Sequence, residues 1–220
     1  MKKTDLLVIG GSAGGILAAT MARKAYGDLD ITLIRETKTV MVPCGIPYAF
    51  GTLRDLKKNR IPEAGLSNAN INLVIDSALE INREEKTVAT RENGVIGYKK
   101  LIVATGSLPI IPTFIPGYDL ENVFPVTKDE DDLSKIFNKL ETAQNVAVIG
   151  GGFIGVEFAE QFRLLGKNVS LIEMADACLW QAFDKKYTDD IEFLLQDSGI
   201  NVMTGTRVKR ILGEKSVESI

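Results

Sequence analysis

The sequence contains no histidine and only two cysteines among its 220 residues. Without histidine, the chain has no histidine-based catalytic triad and lacks the commonest ligand of zinc, so no metal site is predicted. Cys44 and Cys178 lie far apart and do not form the framework of a small disulfide-rich domain, so the reducing cytoplasm is the expected compartment. These absences direct attention to a single sulfur and to a bound cofactor.

Charge and hydrophobic patterning exclude two further classes of protein. The formal net charge is −3, with acidic and basic residues mixed along the chain, so there is no basic stripe for a nucleic acid. No apolar run approaches the ~20 residues of a membrane span, and the first residues lack the hydrophobic stretch of a signal peptide. The hydrophobic fraction of 45% suits a globular protein, and the length allows two domains.

A glycine-rich turn follows the first apolar stretch, Leu6–Ile9. The run Gly10-Gly11-Ser12-Ala13-Gly14-Gly15 has the spacing of a G-x-G-x-x-G turn, with serine in place of the second glycine. Such a turn connects a buried parallel strand to a helix, whose free N–H groups and positive dipole end bind a pyrophosphate. The predicted ligand contacts are Gly10, Ser12, Ala13, Gly14 and Gly15.

The same design recurs where Val146–Ile149 precede Gly150-Gly151-Gly152-Phe153-Ile154-Gly155. All three glycines of the pattern are present, so a second dinucleotide site is predicted. Glu157 either belongs to this site or only stabilises the positive end of its helix. The predicted contacts are Gly150, Gly152, Phe153, Ile154 and Gly155, with Phe153 as a lid.

Acidic residues stand where a dinucleotide fold binds a ribose hydroxyl, near the end of a second strand. Glu36 follows the predicted strand Ile31–Ile34, and Glu173 lies 23 residues beyond Gly150. Arg35 is predicted to neighbour the adenosine half of the first ligand, and a solvated charge pair is the alternative. A carboxylate at Glu173 favours NAD over NADP.

Cys44 is the candidate nucleophile. Pro43 and Gly45-Ile46-Pro47 flank it, and they are able to open a helix whose N-terminus points at the sulfur. Such a placement, with a flavin nearby, lowers a thiol pKa and enriches the reactive thiolate. The alternative is a buried, inert cysteine, which is the interpretation given to Cys178.

Further stretches complete an alternation of strands and helices. Leu101–Ala104 reads as a buried strand whose following residues, Thr105 and Gly106, approach a ligand, and the proline-rich stretch 109–117 predicts a linker. The fold class is therefore α/β, with two Rossmann-like dinucleotide-binding domains, each three-layered with a mostly parallel sheet and the first incomplete. Additional strands are predicted at 71–75, 86–90, 96–99, 169–172, 201–203 and 208–212, with helices at 128–140, 156–165 and 184–196.

Together these residues resemble the FAD-dependent pyridine nucleotide-disulfide oxidoreductases. The similarity is to the single-cysteine branch, which contains coenzyme A-disulfide reductases, NADH oxidases and persulfide or polysulfide reductases. The motifs occur in family order over nearly all of the chain, namely Gly10–Gly15, Pro43–Tyr48, Ala104–Gly106, Ile115–Gly117, Gly150–Glu157 and Phe183-Asp184.

The resemblance implies roles for individual residues. The first turn and Glu36 would bind FAD, the second turn and Glu173 would hold NAD(P)H, and Phe153 would shield the nicotinamide side of the flavin. Cys44 would be the redox sulfur. Ala49 occupies the place of a second cysteine, so oxidised Cys44 has to pair with an external thiol or become a sulfenic acid. Further FAD contacts would come from Pro43, Ala78, Ala104, Thr105 and Gly106.

The implied activity is electron transfer from NAD(P)H through FAD and the single cysteine to a disulfide, polysulfide, peroxide or oxygen acceptor, in a cytoplasmic homodimer. One alternative is an NADH-dependent ferredoxin or rubredoxin reductase, or an oxidase, with an idle cysteine. Another is a nucleotide-binding module without activity. A second FAD segment and a dimerisation domain have no counterpart here, so the chain is interpreted as truncated. Residues 1–113 form the N-terminal segment of an FAD-binding domain and residues 114–220 an NAD(P)-binding domain.

Overall fold

The computed structural model describes residues 1–220 and contains nine strands and six α-helices. The strands are β1 Lys2–Ile9, β2 Ile31–Arg35, β3 Asn72–Ile75, β4 Ala78–Asn82, β5 Thr87–Thr90, β6 Val95–Val103, β7 Asn145–Ile149, β8 Asn168–Ile172 and β9 Asn201–Met203. The helices are α1 Ala13–Ala25, α2 Ile46–Gly51, α3 Ala64–Asn68, α4 Glu130–Thr142, α5 Phe153–Leu164 and α6 Lys185–Asp197. None of these helices is long and apolar enough to cross a bilayer.

The first compact unit comprises residues 1–43, 60–108 and 128–130. Its sheet has six strands in the order β3-β2-β1-β6-β5-β4, in which β3, β2, β1 and β6 are parallel and the last two pairings are antiparallel. The near-continuous apolar sequences of β1 and β2 follow from this position, since a central parallel strand is covered on both faces.

Two hydrophobic clusters cover the two faces of this sheet. On one face, alternate residues of β1 and β2 pack with α1 and α3 in a cluster of Leu6, Val8, Ala19, Ile31, Leu33, Leu66 and Ile71. On the other face, the intervening residues pack against β5 and β6 in a cluster of Leu7, Ile9, Ile34, Val74, Val88 and Ile96. The alternation of side chains along each strand produces this layered arrangement.

Strand β6 joins two segments that the sequence predicts as separate strands. Its first residues pair antiparallel with β5, while the strand as a whole pairs in parallel with β1, from Lys2↔Ile96 to Ile9↔Val103. A strand shared in this way brings residue 104 to the end of β1, where the first glycine turn begins.

The second compact unit comprises residues 44–59, 109–127 and 131–220, around the parallel sheet β7-β8-β9. Helix α2 packs on α5 inside this unit. The Phe50 ring lies 5.3 Å from that of Phe158 and 5.8 Å from that of Phe162, measured between centroids. Gln161, which is buried, accepts hydrogen bonds from the amide (2.9 Å) and hydroxyl (2.8 Å) of Thr52. Segment 44–59, which begins with the candidate nucleophile, therefore belongs to the second unit.

The architecture confirms the predicted α/β class with mostly parallel sheets. Besides the joined strand β6, it differs from the predicted elements in strand β4 and helix α3, which were not predicted, and at residues 208–212. The expected strand at 208–212 does not form. Ile211 instead donates its amide to Pro116 O at 2.8 Å, and Leu212 forms an isolated bridge with Ser219 and accepts a bond from the Glu218 amide at 2.8 Å. Ile211 is the buried residue of this stretch and lies against the turn at Gly117, whereas Leu212 is exposed, so no neighbouring strand covers the segment. The division after residue 113 into two folding domains stays a prediction.

Candidate functional site

The first glycine turn lies where the carboxyl ends of three strands meet. The Gly10 amide donates to Ile34 O at 2.8 Å, and the Ala104 amide donates to Ile9 O at 2.7 Å. Gly10 has φ +107°, and a Cβ added to it would stand 2.1 Å from Ala104 O. Both the backbone conformation and the close approach of β6 therefore require glycine at this position.

Helix α1 begins with unpaired amides. Its N-cap residue, Ser12, makes no side-chain capping bond, and the first recorded helical bond runs from the Ile16 amide to Ser12 O at 2.9 Å. The preceding helical amides and the positive end of the helix dipole are thus available to an anion. Gly15 has to be glycine because its Cβ would lie 1.8 Å from Gly10 O, whereas the space beside Gly14 is open. This cradle fits the pyrophosphate of a dinucleotide.

The second turn repeats this geometry. Gly150 also has φ +107°, and its amide donates to Ile172 O at 2.8 Å. A Cβ on Gly155 would lie 1.8 Å from Gly150 O, as in the first turn, and there is open space beside Gly152, the N-cap of α5. Helix α5 has no acidic residue in its first turn, so the first carboxylate on the helix is that of Glu157, one turn farther from the anion site.

Exposed side chains surround the second turn. Phe153 and Ile154 are solvent-exposed at the start of α5, and the Phe153 ring makes an edge contact with Phe183 at 5.9 Å between centroids. Glu157 is half-buried in the following turn of the helix. The predicted lid residue thus contacts Phe183, which belongs to the Phe183-Asp184 motif but was assigned no role from the sequence.

The residue that follows the second strand differs between the two units. Glu173 accepts hydrogen bonds from the Gly151 amide at 2.6 Å and the Ala175 amide at 2.7 Å. The first glycine of each turn donates its amide to the second strand, Gly10 to Ile34 O and Gly150 to Ile172 O. The residue that follows Ile34 is Arg35, so Arg35 is the equivalent of Glu173. Glu36, the predicted ribose acid, lies one residue farther along and is exposed.

Arg35 is buried with its guanidinium turned back onto the chain. Its Nε donates to Thr37 O at 2.9 Å and its Nη2 donates to Lys38 O at 2.5 Å, while Nη2 also pairs with Glu63. Its stem lies directly beneath Gly11, where an added Cβ would approach the Arg35 side chain to 2.6 Å. Arg35 therefore holds the loop after β2 by hydrogen bonds while its stem packs beneath the first glycine turn.

The remaining predicted contacts of the first site follow strand ends. Thr105 and Gly106 are exposed directly after β6, and Gly106 adopts φ +73°. Ala78 is half-buried at the start of β4, held by the buried carboxylate of Asp76, which accepts bonds from the amides of Ser77 (2.7 Å) and Asn93 (2.8 Å). Burial by itself would raise the pKa of Asp76, but the hydrogen bonds, chiefly from Asn93, hold it well below its ordinary value.

The two cysteines have opposite environments. Cys44 is an exposed free thiol in the 3₁₀ turn Pro43–Gly45, which leads into α2. Cys178 is fully buried beneath the second turn, where a Cβ on Gly151 would lie 2.8 Å from its Sγ. Burial, together with the carboxylates of Glu192 and Glu173, raises the pKa of Cys178 to about 11. Cys178 is therefore a neutral packing residue at physiological pH.

Comparison with known proteins agrees with this geometry. Residues 4–220 match the family model described as pyridine nucleotide-disulphide oxidoreductase. The chain is 33% identical to the NAD(P)H coenzyme A polysulfide/persulfide reductase of Pyrococcus horikoshii, covering 99% of the chain and 50% of that protein. It is 30% identical to the NADH oxidase of Enterococcus faecalis, covering 96% of the chain and 49% of that protein.

A solved structure is also similar, that of an NAD-dependent persulfide reductase from A. fulgidus. The two share a TM-score of 0.88 and 34% identity over 96% of this chain and 41% of that one. The chain spans about half the length of the curated relatives it matches. The family's cofactors, FAD and NAD(P)H, each carry the pyrophosphate that the two cradles fit. Because the family model matches nearly the whole chain, the protein belongs to the pyridine nucleotide-disulphide oxidoreductases.

Proposed function

We propose that this chain provides the nucleotide-binding part of an FAD-dependent NAD(P)H oxidoreductase in which Cys44 is the redox sulfur. The first turn would hold FAD and the second turn NAD(P)H. The observation that carries the proposal is the coexistence of two dinucleotide cradles with one exposed free thiol. The acceptor would be a disulfide, polysulfide, peroxide or oxygen.

The glycine turns would bind and orient the two nucleotides. The unpaired amides at the start of α1 and α5 donate to the two pyrophosphates, and the open space beside Gly14 and Gly152 leaves room for them. The backbone of Ala104 and Thr105 lies beside Gly10 and would close the first cradle, with Gly106 following it. FAD, when bound, supplies the two-electron relay between the nicotinamide and a sulfur.

Cys44 would work without a second protein cysteine. Ala49, one turn into α2, is buried and carries no sulfur, and the thiol of Cys178 is buried and kept protonated by its raised pKa. Oxidised Cys44 therefore has to be resolved by an external thiol or persulfide, or to exist as a sulfenic acid after reaction with a peroxide. This requirement favours small sulfur compounds and peroxides as acceptors.

Packing within the second unit would link the thiol to the nicotinamide site. Cys44 directly precedes α2, and α2 packs through Phe50 and Gly51 on α5, the helix that the second turn opens. A Cβ on Gly51 would lie 2.4 Å from Gln161 O, so the two helices approach at backbone distance. The segment that carries the sulfur is thereby fixed against a nucleotide-binding helix.

The test compares Cys44→Ser with Cys178→Ala in the purified protein. We expect Cys44→Ser to lower NADH-dependent reduction of polysulfide or a disulfide at least about a hundredfold, because its nucleophile is gone. Flavin content and NADH binding should be retained. Cys178→Ala should keep most of the turnover, since that residue only packs. Full turnover by Cys44→Ser would instead favour a flavoenzyme in which the cysteine is idle.

The acceptor is tested separately, because the similar proteins divide in their names between persulfide or polysulfide reductases and NADH oxidases. NADH consumption is measured with polysulfide under anaerobic conditions and with oxygen alone. We expect the sulfur acceptor to give the higher kcat/KM. Faster turnover with oxygen would assign the chain to the oxidase type.

A further inference from the structure

The first nucleotide cleft has an arginine where the second has a carboxylate. Ile9 pairs with Ile34 as Ile149 pairs with Ile172, which makes Arg35 the counterpart of Glu173. The close contacts beneath the two glycine turns support the same equivalence. A Cβ on Gly11 would lie 2.8 Å from Arg35 Cβ, and one on Gly151 would lie 2.9 Å from Glu173 Cβ.

Arginine cannot do what the carboxylate does. A ribose diol is held by an acceptor for its hydroxyl protons, which Glu or Asp provides in dinucleotide folds, whereas a guanidinium only donates. The Nε and Nη2 atoms of Arg35 are moreover already bonded to Thr37 O, Lys38 O and Glu63. The first cleft therefore needs an acceptor from elsewhere in the chain.

Glu63 provides an acceptor at the correct edge of the sheet. It is the N-cap of α3, which precedes the parallel strand β3, so it lies at the edge where β2 ends. Its Oε1 pairs with Arg35 Nη2, while its Oε2 is left to accept a further hydrogen bond and the side chain is 60% exposed. Arg35 thus holds a carboxylate from 28 residues away in the sequence near the end of β2, whereas in the second unit Glu173 itself stands at the strand end.

Glu36 is less well placed for this role. Glu36 lies one residue beyond β2, whereas Arg35, the last residue of that strand, is the one that lies under Gly11 of the first glycine turn. It is exposed and makes no recorded hydrogen bond that would fix its carboxylate. A free side chain also loses more conformational entropy on binding than one held by an ion pair.

We propose that Glu63, positioned by Arg35, is the ribose-binding carboxylate of the first nucleotide cleft, in place of Glu36. This inference rests on the proposed assignment of FAD to that cleft. Glu63 contacts the adenosine ribose, and Arg35 acts through it as a positioning residue.

The experiment measures flavin binding rather than turnover. The whole protein is stripped of flavin and titrated, by flavin fluorescence, with FAD and with the FAD analogue that carries 2′-deoxyadenosine. Four variants are compared with the wild type: Glu63→Gln, Arg35→Lys, Glu36→Gln and, as a control for charge loss near a nucleotide, Glu173→Gln. Thermal unfolding midpoints confirm that each variant is folded.

We expect Glu63→Gln to raise the FAD dissociation constant about tenfold, since a charge-assisted hydrogen bond is lost. It should also weaken the preference of the wild type for FAD over the deoxy analogue, because the neutral amide oxygen accepts the ribose hydroxyl less strongly than the carboxylate. Arg35→Lys should show a smaller loss of the same preference, because lysine cannot hold the loop and Glu63 together. Glu36→Gln and Glu173→Gln should stay within about twofold of wild type, as expected for side chains that make no such hydrogen bond to FAD.

Other outcomes overturn the inference in distinguishable ways. If Glu36→Gln loses the preference and Glu63→Gln keeps it, Glu36 is the ribose acid. If all variants keep the preference, no carboxylate at either position holds the ribose. If the wild type binds NADH but no FAD, both this inference and the proposed function are wrong.

Discussion

The two glycine turns share a backbone and differ in what surrounds it. Gly10 and Gly150 both have φ +107°, and Gly15 and Gly155 both bring a helix within 1.8 Å of the carbonyl of the first glycine, measured from an added Cβ. Yet the first turn is enclosed by β6, whereas β7 lies at an edge of its sheet and Gly150 has open space beside it. The turn conformation is therefore local, and its enclosure depends on the rest of the sheet.

The layer beneath each turn differs as well. Under Gly11 lie the stem of Arg35 and a methyl group of Leu33, whereas under Gly151 lie Glu173 and the sulfur of Cys178. The first turn thus lies above Arg35, whose guanidinium donates to loop carbonyls. The second lies above Glu173, whose carboxylate accepts a hydrogen bond from the turn itself. The same backbone design tolerates opposite charges below it, because hydrogen bonds within the protein compensate each of them.

The largest expected difference is between the alkylation rates of Cys44 and Cys178. At pH 8 a thiol with a pKa of about 11 is ionised in about one molecule per thousand. We therefore expect iodoacetamide to label exposed Cys44 at least about a hundredfold faster than Cys178, measured by mass spectrometry of the peptides. Both should label alike in urea. Comparable rates in the folded protein would mean that the second turn opens readily.

Gly10→Ala and Gly150→Ala should distinguish the cost of backbone strain in the turn from the cost of steric overlap with the neighbouring strand end. In both variants the positive φ costs about 1–3 kcal/mol. Gly10→Ala adds an overlap with Ala104 O that costs about 1–3 kcal/mol more. Urea unfolding of the nucleotide-free protein should show the larger loss for Gly10→Ala. Equal losses would contradict the difference in enclosure.

Acid should weaken the hydrogen bonds by which Asp76 holds the turn between β5 and β6. Because the pKa of Asp76 is lowered in the folded state, its stabilisation is present above the unfolded value of about 3.9 and is lost as the pH falls toward the folded value. The difference in unfolding free energy between wild type and Asp76→Asn should therefore narrow between pH 6 and pH 3. A difference that does not change with pH would contradict the assigned hydrogen bonds.

Alanine at the open positions should have the smallest effect on stability. Gly14→Ala lies inside α1 and should stabilise the fold by about 0.5–1 kcal/mol, and Gly152→Ala at the N-cap of α5 should destabilise it by about 0.5–1 kcal/mol. Nucleotide affinity should nevertheless fall in both variants, because the methyl group enters the space left for a pyrophosphate. Unchanged affinity in titrations with FAD and NADH would place the phosphates elsewhere.

Local patterns predicted most of the elements, whereas register and long-range packing were not predictable. Arg35 and Glu36 both follow an apolar run, and nothing in their order shows which one faces the turn. The bond from the Gly10 amide to Ile34 O decides it. Segment 44–59 joins the second unit through Gln161, 109 positions beyond Thr52 in the sequence, a distance at which periodicity carries no information.

The sequence by itself determined that two strand–turn–helix cradles form, because glycine alone accepts the backbone angles and close approach that each turn requires. Tertiary structure decided which side chain lies beneath each turn and which unit holds Cys44. Both depend on strand pairing and helix packing between residues far apart in the chain, where a shift of one residue exchanges a buried side chain for an exposed one.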